Sequence, residues 1–223
     1  MNSSCHPQPT RHWLCNDYVG GVSGDHYFSD NPESTLRKNT IDLTLRGHNV
    51  ELSTASGTFS PGALDTGTAQ LLKWAPTPPE GGRFVDLGCG WGPLTTAMAL
   101  ESPSASVWGI DVNERALATT ARNAATLKLA NVHTCRPEDY PDDAPIDLLW
   151  SNPPIRVGKE ALHEMLKLWL ARLAPAGEAW LVVAKKLGGD TLQAWLNAGH
   201  AGDFTAERTE TSKGYRILRV RRS

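Results

Sequence analysis

FVDLGCGWGP, residues 84–93, passes from an apolar run through glycines into a helix-forming segment, LTTAMAL. That order reads as a strand, a tight turn and a helix start. Gly88, Gly90 and Gly92 lack Cβ, so the backbone can take positive φ there and approach a ligand closely, while Pro93 suits a first helical position. Cys89 lies inside the same turn. A dinucleotide fingerprint G-x-G-x-x-G begun at Gly88 requires glycine at 93, where this chain has proline, so a nicotinamide dinucleotide is disfavoured.

Outward from this turn, strand and helix patterns alternate: strands at 84–87, 106–111, 131–134, 146–151 and 178–184, with helices in most of the gaps. That rhythm demands a mostly parallel sheet with helices on both faces. Segments 203–210 and 215–221, joined by Ser-Lys-Gly, read as a closing antiparallel hairpin. Ahead of the core, IDLTLRG and NVELST alternate around a Gly-His turn and predict a β-hairpin, a flap over the ligand side, followed by a helix from Leu64 to Ala75. The fold class is therefore α/β, Rossmann-like, with an N-terminal β-hairpin extension. Residues 1–24 read as an irregular tail, and 25–223 as one domain with its hairpin and helix at 25–82 and its core at 83–223. The ligand crevice is expected beyond the carboxyl ends of the strands, where Gly88, Asp111 and Asn152 fall.

The acids around that crevice suggest a cationic ligand. Asp86, before the glycines, repels a pyrophosphate but suits a ligand carrying an ammonium and a sulfonium, as S-adenosylmethionine does. Asp111, with Val112 beside it, ends the next strand about twenty residues on, where an acid accepts ribose hydroxyls. Glu138 and Asp139 are candidates for the adenine amine. Each acid also has a plain alternative as a helix cap or a solvated loop charge.

The second informative stretch is LLWSNPPI, residues 148–155. A residue before proline is pushed into extended geometry, so Asn152 is expected to project from its strand end, and Pro153 and Pro154 stiffen the loop while removing two N–H donors. What remains is a set of acceptors able to grip the hydrogens of an exocyclic amine. Such an amine is a poor nucleophile, because its lone pair is delocalised into the ring, so positioning and electrostatic preorganisation are the expected catalysis. Trp91 and Trp150 fall near the crevice, as site aromatics or as core.

HYFSD at 26–30, GTFSPGALDTGTAQLL at 57–72, DLGCGWGP and SNPPIRVGKE together resemble the small-domain family of class I methyltransferases, over about residues 26–222. That family includes enzymes methylating the exocyclic amine of guanine in small-subunit ribosomal RNA. The resemblance implies S-adenosylmethionine as cofactor, held by Asp86, Gly88, Gly90 and Asp111, with Asn152, Pro153, Pro154 and Ile155 holding the target base. It implies further that Phe59, Asp65 and Thr68 line the cofactor pocket. Ile155 departs from the aromatic residue that many nucleic-acid amine methyltransferases carry there. Adenine N6 and a protein glutamine amide stand as alternative acceptors, and a cofactor- or RNA-binding protein without catalysis as the alternative class.

Composition sets wider bounds. With 223 residues, 40% of them hydrophobic, the chain can bury one sizeable core. Its net charge of −2 announces no polyanion partner, so RNA binding has to be local. Arg156 and Lys159 beside the acceptor loop are the leading substrate contacts. Lys185, Lys186, Arg216, Arg219, Arg221 and Arg222 are further candidates. Four cysteines without a disulfide pattern indicate a reducing compartment. With no membrane segment or signal peptide visible in the sequence, the cytoplasm is expected. Cys5, His6, His12 and Cys15 match no common zinc spacing, so no metal is expected. The oligomeric state is not encoded in any of these patterns.

Overall fold

A computed structural model of the chain describes residues 38–55, 60, 62–141, 144–154 and 158–223. The tail, the cysteines and histidines at 5–15, Phe59, Ile155 and Arg156 lie outside the described residues.

The chain opens with β1 (Lys38–Leu45) and β2 (His48–Ala55), an antiparallel pair. The turn falls on Arg46 and Gly47, one residue earlier than the sequence pattern places it, and both have positive φ (48° and 93°). A two-residue turn of that hand matches the twist of its flanking strands. Then follow α1 (Thr66–Trp74), β3 (Gly81–Leu87), α2 (Pro93–Glu101), β4 (Ser104–Ile110), α3 (Glu114–Thr126), β5 (Val132–Cys135) and β6 (Ile146–Ser151). The remainder is α4 (Lys159–Ala171), β7 (Leu173–Ala184), α5 (Gly189–Asn197), β8 (Phe204–Ser212) and β9 (Tyr215–Arg222).

Seven strands form one sheet in the order β5-β4-β3-β6-β7-β9-β8. The first five run parallel, and β9 joins β7 antiparallel, as the sequence predicts. The β8–β9 turn repeats the geometry of the first hairpin, with Lys213 and Gly214 at φ 47° and 80°.

Side chains alternate across the sheet and build a core on each face. Phe84, Leu148, Trp150 and Val182 pack with Leu71 of α1 and Met98 of α2. Val85, Leu149, Leu181 and Leu218 pack with Leu166 and Trp169 of α4 and Leu196 of α5. Trp91 and Trp150, 2% and 0% exposed, are core residues of the first face.

The hairpin is anchored rather than free. Leu45, Val50 and Leu52 are buried against the first face, and Ser53 exchanges backbone hydrogen bonds with the Asn123 side chain of α3 (2.8 and 3.0 Å). At its turn Arg46 donates to Glu101 (2.7 Å) and to the carbonyls of Leu72 and Ala75 (2.7 and 3.0 Å), and it lies 5.6 Å from the Trp150 ring centroid. Those carbonyls end α1, where the helix has no partners of its own for them.

Three strands of the large sheet begin earlier than their apolar runs suggest, β4 by two residues at Ser104 and β3 and β7 by more. β3 includes Gly81 to Arg83 because these residues continue the parallel ladder with Ser104 to Ser106 of β4; Asp147 of β6 also accepts the Arg83 N–H (2.7 Å), and Gly82 at φ 125° leaves room for that carboxylate. β7 starts at Leu173, pairing with Ile146 across a register shift in which Gly177 comes against the Ile146 carbonyl.

Candidate active site

β3, β4 and β6 deliver three segments to one end of the sheet: the glycine turn, Asp111 and the acceptor loop. In the turn, the N–H groups of Gly88 and Cys89 both donate to the Ile110 carbonyl (2.8 and 3.0 Å). Gly90 donates to Asp111 Oδ2 (2.9 Å). Gly88, Gly90 and Gly92 all have positive φ (79°, 58° and 88°), but they serve different ends. A Cβ on Gly92 would meet Thr120 at 2.8 Å, so that glycine answers a packing demand. A Cβ on Gly88 would meet only Pro154 Cδ, at 3.9 Å, so that glycine faces the acceptor loop. The Cys89 side chain turns inward, 3.7 Å from Thr120 Oγ1, and burial pushes its thiol well above the ordinary value.

Asp86 is wholly buried at the end of β3. Its Oδ2 accepts from the backbone N–H and hydroxyl of Thr95 (2.9 and 2.6 Å), supplying the N-terminal cap that Gly92 cannot give α2. Its Oδ1 has no partner among the described residues. Burial raises the carboxyl to about 7, against the lowering effect of Thr95. Asp111 accepts from Gly90 on one oxygen and from Asn113 (2.9 Å) on the other. Burial raises its pKa, and these backbone donors oppose the rise. The backbone N–H of Val112 also favours the carboxylate, which keeps acceptor capacity for a hydroxyl. Val112 follows, half-buried.

Glu138 and Asp139 lie on a 3-10 turn, Pro137–Asp139, after β5. Both are exposed, and Arg136 Nε donates to Glu138 at 2.7 Å.

In the acceptor loop, Asn152 and Pro154 are partly exposed and Pro153 is buried. The Asn152 amide nitrogen donates to Asp65 Oδ2 (2.8 Å) and to Thr68 Oγ1 (3.1 Å). Asp65 is the N-cap of α1 and accepts the Thr68 N–H on the same oxygen (3.1 Å). Ser151, buried just before the loop, donates its hydroxyl to the Leu87 carbonyl (2.7 Å). Ser151, Gly67 and Tyr215 were not singled out by the sequence. A Cβ on Gly67 would lie 2.9 Å from Tyr215 Cε1 and 3.2 Å from Asn152 Nδ2. Glycine inside a helical pattern was the one available signal.

The C-terminal arginines have intramolecular partners. Arg216 pairs with Asp190 (2.8 Å), Arg219 with Glu178, and Arg222 donates to the carbonyls of Ala171 and Leu173 (2.9 and 3.1 Å). Arg221 stands 4.0 Å from Glu207. Lys159, opening α4, and Lys185 and Lys186, on the 3-10 turn after β7, are exposed. No helix among the described residues is long and apolar enough to cross a membrane.

Residues 49–219 match the family model described as methyltransferase small domain. The chain belongs to the methyltransferase small domain family. It is 32% identical over 167 residues to the uncharacterized protein YbxB of Bacillus subtilis, covering 74% of this chain and 83% of that one. It is also 32% identical over 146 residues to ribosomal RNA large subunit methyltransferase G of Ectopseudomonas mendocina, covering 62% of this chain and 39% of that one. Among solved structures, the T. thermophilus 16S rRNA N2 methyltransferase RsmC, in complex with AdoMet and guanosine, superposes with a TM-score of 0.70 at 21% identity. That match covers 86% of this chain and 52% of the other, and it establishes the class I methyltransferase fold. The chain thus spans less than half of that large-subunit enzyme and about half of the solved one.

The residues fit S-adenosylmethionine, the cofactor of this class. Among the described residues Asp86 Oδ1 is a buried acceptor lacking a donor, Asp111 stands at the strand end as an acceptor for a diol, and Gly88 adds no side-chain atom to the gap facing Pro154.

Proposed function

We propose that this chain transfers a methyl group from S-adenosylmethionine to the exocyclic amine of a guanine in RNA, with ribosomal RNA as the substrate class. The observation that carries the reading is the approach of Gly88 to Pro154, which sets the acceptor loop against the cofactor turn. When bound, the cofactor supplies a methyl on a sulfonium, already a good leaving group. The protein's part is then positioning.

Asp86 and Asp111 favour the positive charge and the ribose of the cofactor. Asn152 accepts one hydrogen of the target amine through Oδ1, and the carbonyl of a loop residue accepts the other. Drawing both hydrogens to fixed acceptors bends the nitrogen toward tetrahedral geometry and aims its lone pair. Pro153 and Pro154 keep the acceptors fixed by removing backbone freedom. The proton lost from nitrogen after transfer passes toward these acceptors and to water. Lys159, together with Arg156 that follows the loop in sequence, would contact RNA phosphates, and a base drawn from a helix must first be flipped out at about a few kcal/mol, so a loop or an assembly intermediate suits the site. Guanine is preferred over adenine and over a protein amide because the relatives include ribosomal RNA methyltransferases and a structural neighbour acting at guanine N2.

Mass spectrometry of RNA nucleosides from cells with and without the gene tests this. Loss of N2-methylguanosine is expected, with restoration by the purified protein and S-adenosylmethionine. An unchanged nucleoside profile, or loss of N6-methyladenosine instead, overturns the guanine assignment. Binding of cofactor and RNA with no transfer would make the chain a binding protein.

A further inference from the structure

A side-chain amide has two nearly equivalent orientations, and only one of them presents oxygen to an incoming amine. At Asn152 the choice is made by residues more than eighty positions away. Both hydrogens of Nδ2 are engaged, one by Asp65 Oδ2 at 2.8 Å and one by Thr68 Oγ1 at 3.1 Å. A flipped amide would set Oδ1 against the Asp65 carboxylate, acceptor against acceptor. An ionised aspartate has no hydrogen to donate and so enforces the orientation, whereas a hydroxyl at the same place donates or accepts and enforces nothing.

We infer that Asp65 is a positioning residue that locks the Asn152 amide with Oδ1 as its free pole, with Thr68 Oγ1 taking the second amide hydrogen. The inference rests on the proposed amine chemistry for its catalytic consequence. It departs from the cofactor-lining role that the family resemblance implies for these two residues. Three features support it. Asp65 Oδ2 takes the Thr68 N–H as well as the Asn152 N–H, so the lock is fastened to the first turn of α1. Serine or threonine would cap that helix comparably, so capping alone does not explain a carbonyl-type acceptor at this position. Gly67, buried in the same turn, is a poor helix former, yet a Cβ there would stand 3.0 Å from Asp65 Oδ2 and 3.2 Å from Asn152 Nδ2. A larger residue would crowd the lock.

The test uses the full chain. Asp65→Ser keeps a helix cap but loses the one-way acceptor. It is expected to lower kcat about tenfold, the effect of about one hydrogen bond, with the KM for RNA and the Kd for S-adenosylmethionine within about twofold of wild type. Asp65→Asn, which can still offer an oxygen to both donors, should recover most of that loss. In an Asn152→Ala background the Asp65→Ser effect should vanish, because two residues acting through one amide are not additive. Independently of any substrate, the two Asn152 side-chain amide proton resonances of the cofactor-free protein should be protected from exchange, and Asp65→Ser should expose them.

Equal kinetic losses in both backgrounds overturn the lock, as do amide protons that exchange freely in wild type. A Kd for S-adenosylmethionine that rises in Asp65→Ser while kcat holds would return Asp65 to the cofactor pocket. If wild type transfers no methyl to RNA, the functional reading falls, and with it the catalytic half of this inference. The exchange measurement still decides whether the lock exists.

Discussion

Ser151 Oγ donates to the Leu87 carbonyl at 2.7 Å, tying the last residue of β6 to the last residue of β3. Cα pairing between these strands ends one residue earlier, at Asp86 and Trp150. The hydroxyl continues the link where the ladder stops, so the glycine turn and the acceptor loop leave the sheet from joined ends. Ser151→Ala removes a buried hydrogen bond and is expected to cost about 1–2 kcal/mol of stability, lowering Tm by about 2–8 °C. Methyl transfer should fall with it. A Tm equal to wild type would show the link to be incidental.

Asp111→Ala releases the N–H groups of Gly90 and Asn113 together with the proposed ribose acceptors. Calorimetry should record a loss in S-adenosylmethionine affinity of about tenfold to a hundredfold, as for hydrogen bonds to a charged group. Unchanged affinity would remove Asp111 from the cofactor site.

Asp86 provides a pH test. Its folded pKa of about 7 lies above the ordinary 3.8, so the folded state holds a proton that the unfolded chain has released across that interval. Its contribution to stability is greatest below about 3.8 and is lost as pH rises through about 7. Relative to Asp86→Asn, wild type should therefore lose stability between those values and stay level above them, as followed by urea unfolding at a series of pH values. Cofactor binding carries the opposite sign. A cation beside Asp86 favours the carboxylate, so wild-type affinity divided by that of Asp86→Asn should rise from pH 6 to pH 8. A flat ratio would place the cofactor's charge elsewhere.

Arg46 ties the hairpin turn to Glu101 and to the carbonyls of Leu72 and Ala75. Its side chain is 13% exposed and that of Glu101 14%, so Arg46→Ala strands a carboxylate and two carbonyls in a poorly solvated place. A cost of about 2–4 kcal/mol is expected from urea unfolding, somewhat below the figure for a fully buried pair. A change under about 0.5 kcal/mol would mean that the hairpin is held by its apolar face alone.

Lys159→Ala combined with Lys186→Ala should flatten the dependence of log RNA affinity on log salt by about 1.4, for two lost contacts to single-stranded phosphate. Arg216→Ala should instead act mainly on stability, since its partner is Asp190. A salt slope moved by Arg216→Ala and left alone by the lysine pair would reverse these roles.

Much of the fold was legible because its signals are local. The apolar run at Phe84–Leu87, the glycines after it and Pro93 specify strand, turn and helix from backbone preferences alone. The lysine-glycine turn of the last hairpin was legible from its glycine in the same way, whereas the first hairpin turns at Arg46 and Gly47, one residue before the Gly-His pair. Misplaced strand starts at Gly81 and Leu173 have a shared cause: glycine and proline argue against a strand locally, but Ser104 to Ser106 of β4 and Ile146 of β6 supply pairing that local preference cannot anticipate.

The sequence alone determined which groups are available: a glycine turn flanked by acids, and a proline-stiffened asparagine at a strand end. Tertiary structure decided how those groups are used. It set Gly88 against Pro154, gave Asn152 to Asp65 and Thr68, and engaged Arg216, Arg219 and Arg222 internally. Charge and hydrogen-bonding capacity are written in residue identity, whereas a partner is fixed by distance in space, which the sheet order sets between positions as far apart as 65 and 152.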